Sequence, residues 1–264
     1  MENEFRTPLW DSTWTYSHTQ LSLYRLCPRR YYERYILPPP EVALIEAVSL
    51  QQIYSRDVIH PGIEALHHQS DTPFNLQLSI DKFRGHDVVR NMDTTPWDLK
   101  LAESIFASYR LNPLDNPTHV EYEGRIKLDD TVTGEKNKYQ FLSKPDFVIE
   151  ESTVDLKFTM SNRPYPLKPF DDQMLGQAIV FNKKFFCRYQ ICVDAKTMLL
   201  KDIVVEQHPV DDLLRDNWFE RTVRSVRDIE ESRRCNIWVE HDHACGAFNR
   251  VCPYMGSCIF GRVR

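Results

Sequence analysis

The sequence predicts an α/β protein with one central mixed β-sheet flanked by helices. Three observations support this prediction. The chain has 264 residues, 42% of them hydrophobic, which is enough to bury a sizeable core. Residues 119–158 alternate apolar and polar side chains in the way that neighbouring strands do. The segments on both sides of this stretch follow the helical period instead, so helices are expected to cover the sheet.

The N-terminal half is predicted to be helical. A first helix is expected over 17–36, with Ser17 as its N-cap and three prolines from Pro38 at its end. A helical insertion follows over about 41–115. Its helices are expected near residues 42–69, 76–91 and 96–110, separated by turns that contain proline or aspartate.

The catalytic core is predicted over about 116–210. Its strands in 119–158 are followed by a helix over 170–183 and by two further strands, FFCRYQICVD and MLLKDIVVEQ. A charged helix over about 210–234 then leads to a cysteine-rich segment, 235–264. We therefore expect a single domain over 1–264, whose C-terminal segment pairs with Cys27.

The charge and hydropathy of the chain indicate its cellular location and limit its partners. The net charge of −5 argues against a uniformly basic coat for nucleic acid, although a local basic groove is compatible with it. The first residues are polar and acidic, unlike a signal peptide. No apolar run approaches the ~20 residues that span a membrane. A cytoplasmic protein without a membrane partner is expected.

Two aspartates and a lysine form the first candidate site. Asp155 and Lys157 are two positions apart in a predicted strand and so share one face, and Asp146 can reach the same point from the adjoining strand. Two carboxylates at one point repel each other unless a cation lies between them, and a hard divalent ion is the usual solution. By itself an Asp-x-Lys triplet is weak evidence, since most such triplets are solvated strand residues.

Four of the seven cysteines form the second candidate site. Cys27 lies in the first helix, and Cys245, Cys252 and Cys258 lie close together at the C-terminus. In a cytosolic chain such cysteines indicate metal binding more than disulfides. Their spacing is poor for a local zinc site but suits a four-thiolate iron–sulfur cluster closed by a distant cysteine. Zinc and unrelated thiols remain alternatives. The other three, Cys187, Cys192 and Cys235, are interpreted as small buried hydrophobic residues.

These motifs together resemble a known family. KPDFVIEESTVDLKFT is similar to motifs II and III of the RecB-like PD-(D/E)XK nucleases, and VIHPGIEAL resembles the family helix whose histidine binds metal, here His60. DDQMLGQ resembles the QxxxY helix, with Gln173 as the glutamine and Gln177 in place of the tyrosine. The cysteine pattern is similar to that of the iron–sulfur subgroup, which includes AddB-type and CRISPR-associated exonucleases. Its six-residue spacing from Cys245 to Cys252 is longer than the family's.

The resemblance implies a restriction-endonuclease-like core with a helical insertion and a C-terminal iron–sulfur segment. It also implies bound Mg²⁺ or Mn²⁺ and a [4Fe–4S] cluster, with zinc as the minority alternative at the cysteines. The implied catalytic residues are Asp146, Asp155, Lys157 and Gln173. The implied metal ligands are His60, Asp146, Asp155 and the backbone carbonyl of Leu156. The implied cluster ligands are Cys27, Cys245, Cys252 and Cys258.

The function expected from this resemblance is metal-dependent DNA cleavage, by an exonuclease acting on single strands or DNA ends. Recombination, repair and phage- or CRISPR-type DNA processing are the expected settings, and a protein partner in such a complex is possible. Arg25, Arg29, Arg30 and Tyr31 are candidates for DNA binding, with packing of the first helix as the alternative. A catalytically idle module that binds DNA ends or a protein is the alternative function, and a redox or sensor role is a third. The presence of both aspartates and the lysine favours an active enzyme.

Overall fold

The computed structural model describes residues 15–37, 49–67, 74–87, 89–90, 92–111, 113–114, 117–130, 132–161, 164–246, 252–255 and 258. The predicted helical stretch at 41–48 lies outside these residues. The helices are α1 (His18–Leu26), α2 (Pro28–Tyr35), α3 (Leu50–Tyr54), α4 (His60–His67), α5 (Leu76–Gly85), α6 (Leu99–Leu111), α7 (Asp172–Val180) and α8 (Asp212–Cys235). The strands are β1 (Thr15–Ser17), β2 (His119–Val120), β3 (Gly124–Leu128), β4 (Tyr139–Ser143), β5 (Phe147–Val148), β6 (Ser152–Thr159), β7 (Phe185–Val193) and β8 (Leu200–Pro209).

The chain divides into two compact units. Unit one comprises Met1–Glu46, Gly124–Ser143 and Leu213–Arg264. Its described part contains a three-stranded sheet in the order β1-β4-β3, with β1 parallel to β4 and β3 antiparallel to it. Helix α1 is held along α8, where the Tyr24 hydroxyl donates to the Asp228 carbonyl oxygen over 2.8 Å. The edge of the Phe141 ring packs against Trp218 of α8, with 4.9 Å between ring centroids.

Unit two comprises Ala47–Glu123 and Lys144–Asp212. Its five-stranded sheet has the order β2-β5-β6-β7-β8, with β6 and β7 parallel and the other pairs antiparallel. Helices α3 to α6 bury an aromatic-rich core against this sheet that includes Tyr54, Phe83 and Phe158. Every residue of β6 except Lys157 is buried, because this strand is covered on both faces.

The expected single sheet is therefore wrong, since the described strands form two sheets that are each mixed. The continuous pattern HVEYEGRIKL splits into β2 and β3, and KYQFLSKPDFVIEE splits into β4 and β5. The first break is at Glu121, whose φ of 46° lies in the left-handed region. The second break is at Lys144-Pro145, where the proline has no N–H to donate to a strand ladder. The α/β class with mixed sheets and flanking helices is confirmed.

The first helix is also interrupted. Ser17 caps α1 as predicted, and it forms a capping box with Gln20. Cys27 then adopts an extended conformation, with φ of −161° and ψ of 110°, and Pro28 opens α2. Proline is well suited to the first position of a helix but not to its interior, so the chain restarts its helix at this residue.

A wide helical turn precedes His60. Helices α3 and α4 are joined without interruption by a π-helical segment, Ser55–Ile59, in which the His60 N–H donates to the Ser55 carbonyl oxygen. Pro61 follows directly and cannot donate to the helix. A π turn contains one more residue than an α turn and loosens the local helix, which accommodates a proline that an ordinary helix interior would exclude.

Gly62 lets α4 approach α6 closely. A Cβ atom on Gly62 would lie 2.1 Å from Phe106 Cζ. We expect Gly62→Ala to lower the free energy of unfolding by roughly 1–3 kcal/mol, the usual effect of overpacking, despite the higher helix propensity of alanine. Urea unfolding measures this.

Gly85, at the end of α5, provides the control for Gly62→Ala, because a Cβ there meets nothing within 4 Å. Gly85→Ala should leave the stability unchanged or raise it slightly. The double variant Gly62→Ala, Phe106→Leu should recover part of the loss. Equal stability of Gly62→Ala and the wild type would show that this contact does not limit the packing of α4.

No helix within the described ranges is long and apolar enough to cross a membrane.

Candidate active site

The candidate site lies in unit two, where β5 and β6 separate. The two strands pair only at Phe147–Val154 and Val148–Thr153. One step further along, the Leu156 N–H donates to Asp146 Oδ2 over 2.6 Å instead of to a strand. The Leu156 backbone also lies within hydrogen-bonding reach of the His60 ring. The separation of the strands thus exposes one stretch of β6 backbone to two polar side chains.

Asp155 and Lys157 project from this stretch of β6, as their spacing predicts. Asp155 is only 3% exposed, and Lys157 Nζ lies 2.8 Å from its Oδ2. Gln173, on the first turn of α7, points its Nε2 at Asp155 Oδ1 over 3.4 Å. The structure therefore brings together the predicted carboxylate, lysine and glutamine.

Asp146 and His60 complete the predicted set. His60 Nδ1 lies 3.7 Å from Asp146 Oδ1. Burial raises the pKa of Asp146 to about 7, and the neighbouring Asp155 carboxylate adds to the rise. Burial also lowers the pKa of His60, and the Lys157 charge lowers it further. A neutral imidazole at neutral pH keeps a nitrogen lone pair available for a metal ion.

Glu64 is a site residue that the sequence analysis missed. Burial raises its pKa to about 7, and the Glu121 carboxylate, within hydrogen-bonding reach, contributes next. Glu121 is also paired with Lys144. Glu64 follows His60 by four positions on α4, so the rule that i and i+4 share a helix face could have identified it.

Helix α7 is fixed at its start by charge. Asp171 caps the helix by accepting from the Met174 N–H over 3.2 Å, and Arg188 of β7 donates to the other Asp171 oxygen over 3.1 Å. This ion pair sets the position of the first turn, which carries Gln173. Gln177 is 3% exposed and its Oε1 is buried without a hydrogen-bond partner.

The residues where β5 and β6 separate have side chains of the kind that bind a divalent cation, but their present placement does not form a binding site. No group of three or more described His, Cys, Asp and Glu side chains is arranged to hold a metal ion. Lys157 supplies the positive charge beside Asp155. Asp146 is held near the buried Asp155 carboxylate, which adds to the rise of its pKa. A cation between the two carboxylates would remove this repulsion.

A pH dependence of stability follows from Asp146. Its folded-state pKa of about 7 exceeds the usual 3.8, so in metal-free buffer the ionised carboxylate destabilises the fold. The penalty is absent below about pH 4, grows as the pH rises, and is complete above about pH 7. At about 1.4 kcal/mol per pKa unit it can reach a few kcal/mol.

Asp146→Asn should therefore melt at a higher temperature than wild type in EDTA at pH 8, and the difference should shrink at pH 4.5. Asparagine keeps an oxygen to accept the Leu156 N–H, so the fold is preserved. Calorimetry at several pH values tests this, with the exposed Asp216→Asn as control. Parallel pH profiles for Asp146→Asn and wild type would contradict it.

All four candidate cysteines belong to unit one. Cys27 is buried at the start of α2, and Cys245, Cys252 and Cys258 are partly buried. Burial raises the pKa of the Cys258 thiol; Arg29 opposes the rise, and the Cys27 and Cys245 thiols add to it. The Cys252 N–H donates to the Cys245 carbonyl oxygen over 2.8 Å. The Cys27 and Cys245 thiols are therefore close enough to Cys258 to influence its pKa, although no three described cysteines are arranged to hold a metal ion.

The segment before Cys245 returns to the first two helices. The Arg29 N–H donates to the Val239 carbonyl oxygen over 3.1 Å, and the His241 ring contacts the Leu26 carbonyl oxygen at 3.0 Å. Trp238 stacks on Tyr31 with 6.0 Å between ring centroids. These contacts bring the C-terminal cysteines to Cys27 without any bond between the sulfurs.

The candidate DNA-binding residues on α1 and α2 make contacts within unit one. Arg25 Nε donates to Ser225 Oγ of α8 over 2.8 Å, and Arg29 pairs with Glu33 at 2.6 Å. Tyr31 is 0% exposed, so a nucleobase cannot stack on it as placed. Tyr31 therefore packs inside unit one, as the alternative interpretation of the first helix predicted. DNA contact by Arg29 and Arg30 stays a prediction.

Comparison with known proteins gives the fold. No family model matches the chain, and no curated protein is similar to it in sequence. A solved structure from Eubacterium rectale, which carries a provisional exonuclease name, is 12% identical, with 89% of this chain and 88% of that chain covered and a TM-score of 0.54. This score shows a shared fold.

Two further solved structures are more distant. SSO0001 is 15% identical over 84% of this chain and 78% of that chain, with a TM-score of 0.40. A phage-related exonuclease of Haemophilus somnus is 12% identical over 69% of this chain and 96% of that chain, with a TM-score of 0.34. Scores this low support no argument.

Proposed function

We propose that this protein is a divalent-metal-dependent DNA nuclease, acting as an exonuclease on single strands or DNA ends. The observation that carries the proposal is the convergence of Asp146, Asp155, Lys157 and His60 where β5 and β6 separate. The fold is shared with a solved structure that carries a provisional exonuclease name. Phosphodiester hydrolysis needs a held cation, a positioned water and a cationic side chain near the phosphate, and these residues can supply each.

The metal ligands would be His60, Asp146, Asp155 and the Leu156 carbonyl oxygen. When bound, Mg²⁺ or Mn²⁺ supplies Lewis-acid stabilisation of negative charge on the phosphate and eases deprotonation of the attacking water. The Leu156 N–H holds Asp146 by one oxygen and leaves the other toward His60. Glu64 and Glu121 enlarge the acidic set.

Lys157 has a separate task. It is the one exposed residue of β6, so its ammonium group can leave Asp155 and reach a water or a phosphate oxygen. Gln173 holds Asp155 from the other side and can orient the same water. This arrangement requires the lysine to move away from Asp155 when a cation binds.

The cysteines of unit one are proposed to bind a [4Fe–4S] cluster through Cys27, Cys245, Cys252 and Cys258. Support comes from the effect of the Cys27 and Cys245 thiols on the pKa of Cys258 and from the contacts that return the C-terminal segment to α1 and α2. A cubane cluster holds its ligand sulfurs farther apart than a single ion does. Zinc would need all four sulfurs to close on one point.

A cleavage assay tests the proposed function. The protein is purified without oxygen and incubated with end-labelled single-stranded and double-stranded DNA in Mg²⁺, Mn²⁺, Ca²⁺ or EDTA. We expect products with Mg²⁺ or Mn²⁺ only, because Ca²⁺ takes longer and looser coordination, at about 2.3–2.6 Å against about 2.0–2.1 Å for Mg²⁺. Cleavage in excess EDTA would contradict the mechanism, and DNA binding without cleavage in any metal would show an idle module.

A further inference from the structure

An aromatic cluster lies at one edge of the five-stranded sheet. The His119 and Tyr122 rings are 4.6 Å apart and tilted by 40°, and Phe181 meets the Tyr122 ring at 6.1 Å. Tyr122 is 52% exposed, so much of its ring is in contact with water. His119 is exposed as well. We refer to His119, Tyr122 and Phe181 as the edge cluster.

The edge cluster adjoins the candidate active site through the backbone. The Glu121 N–H donates to the Asp146 carbonyl oxygen over 2.8 Å, and Tyr122 is the next residue. The Tyr122 Cα is therefore about 3.8 Å from that of Glu121, which is itself hydrogen-bonded to a proposed metal ligand. Tyr122 therefore follows directly on the residue whose backbone is bonded to that of Asp146.

The backbone at this junction is strained. Glu121 has a φ of 46°, which is uncommon for a residue with a side chain. This conformation ends β2. The Glu121 carboxylate can therefore reach Glu64 and Lys144, while the next residue, Tyr122, joins the edge cluster. Strain of this kind is maintained where the surrounding structure requires it, frequently at functional sites.

The chemistry of the edge cluster fits an unpaired nucleobase. Tyr122 is a half-exposed ring packed against the tilted His119 ring, with Phe181 edge-on, and an exposed aromatic ring is the feature on which single-stranded nucleic acid stacks. Lys144, whose side chain is half exposed, provides a cation beside it for a phosphate. Bases inside a duplex already have both faces stacked, so only an unpaired or frayed base has a face to offer.

We propose that Tyr122, supported by His119 and Phe181, is a stacking subsite for an unpaired base next to the scissile phosphate. The proposal rests on the proposed nuclease function and deepens it, because it assigns the residues that would hold an unpaired base of the substrate.

The test is a binding measurement that does not depend on cleavage. Asp155→Asn is used as a binding-only background, with oligonucleotides that carry 2-aminopurine, whose fluorescence is quenched by stacking. We expect quenching with single-stranded DNA, its loss with Tyr122→Ala, and its retention with Tyr122→Phe. The affinity for single strands should fall roughly 5- to 100-fold with Tyr122→Ala, the range expected for one stacked base. Affinity for a blunt duplex should change little.

Tyr165 offers a matched control, since it is 62% exposed but lies two residues before Leu167, whose N–H binds Glu206 of β8 at the opposite edge of the sheet. Tyr165→Ala should leave quenching and affinity unchanged. Equal affinities of the Tyr122→Ala and parent proteins for single strands would overturn the subsite while leaving the nuclease proposal intact. If the parent protein cleaves no DNA in the separate assay and binds none here, the proposed function itself fails.

Discussion

Lys157→Ala should lower the rate of DNA cleavage by roughly 10²–10⁴-fold, and Asp155→Asn should lower it at least as much. The lysine is the exposed cation of β6, and the buried aspartate is its partner at 2.8 Å. Removing the lysine deletes the group proposed to handle the attacking water. Replacing the aspartate by asparagine keeps the shape and an acceptor for Gln173 but removes the charge that would hold the metal ion.

Single-turnover cleavage with saturating Mg²⁺ measures these effects, and circular dichroism confirms that each variant is folded. Lys184→Ala is a matched control, because Lys184 also forms a lysine–carboxylate pair in unit two, with Glu151 at 2.6 Å. Its rate should equal that of wild type. A Lys157→Ala variant that retains more than about a tenth of the wild-type rate would exclude the lysine from the chemical step.

A second large effect is expected from the cysteines. About 220 residues separate Cys27 from Cys245, and in the closure model a cross-link around such a loop removes unfolded-chain entropy worth roughly 5 kcal/mol. This is comparable to the stability of a whole domain, about 5–15 kcal/mol. Cys258→Ala should therefore abolish the visible absorbance expected of the proposed iron–sulfur cluster, lower the melting temperature strongly, and reduce the soluble yield.

Cys235→Ala provides the control, because Cys235, which was predicted to be buried, is exposed at the end of α8. It should keep both the absorbance and the stability. Metal analysis of the wild type distinguishes iron with sulfide from zinc. A colourless Cys258→Ala variant that melts within a few degrees of wild type would show that the cluster does not stabilise the fold, and would favour a redox or sensor role.

The parts of the site that share one element were predictable from the sequence. Asp155 and Lys157 share a strand face by their spacing, and α7 begins at its Asp171 cap where a helical period resumes. Glu64 was accessible to the same argument from His60. The raised pKa of Glu64 was not predictable, however, because it depends in part on Glu121. Glu121 lies 57 positions later in the chain and is brought close only by the tertiary structure.

The division into two sheets was not predictable in the same way. The alternation of apolar and polar residues continues unbroken through Glu121. The positive φ of this residue changes the direction of the chain but leaves no mark on that sequence pattern. Pro145 gave a clearer signal, since a proline within a strand pattern argues against a continuous strand. The wide turn at Ser55–Ile59 had only an indirect sign, the proline at position 61.

That wide turn makes the length of this helix more critical than its composition. Pro61 does not tolerate an ordinary α turn before it, so deleting one residue between Ser55 and Ile59 would not simply close the wide turn; it would rotate everything beyond it by roughly 100° and shift it by about 1.5 Å. His60 and Glu64 lie on the same rigid helix and would swing away from Asp146 together. Homologous chains should therefore conserve the number of residues in this turn, and insertions should accumulate elsewhere. In an insertion and deletion scan, the turn should be among the least tolerant segments of unit two even where its side chains are exposed.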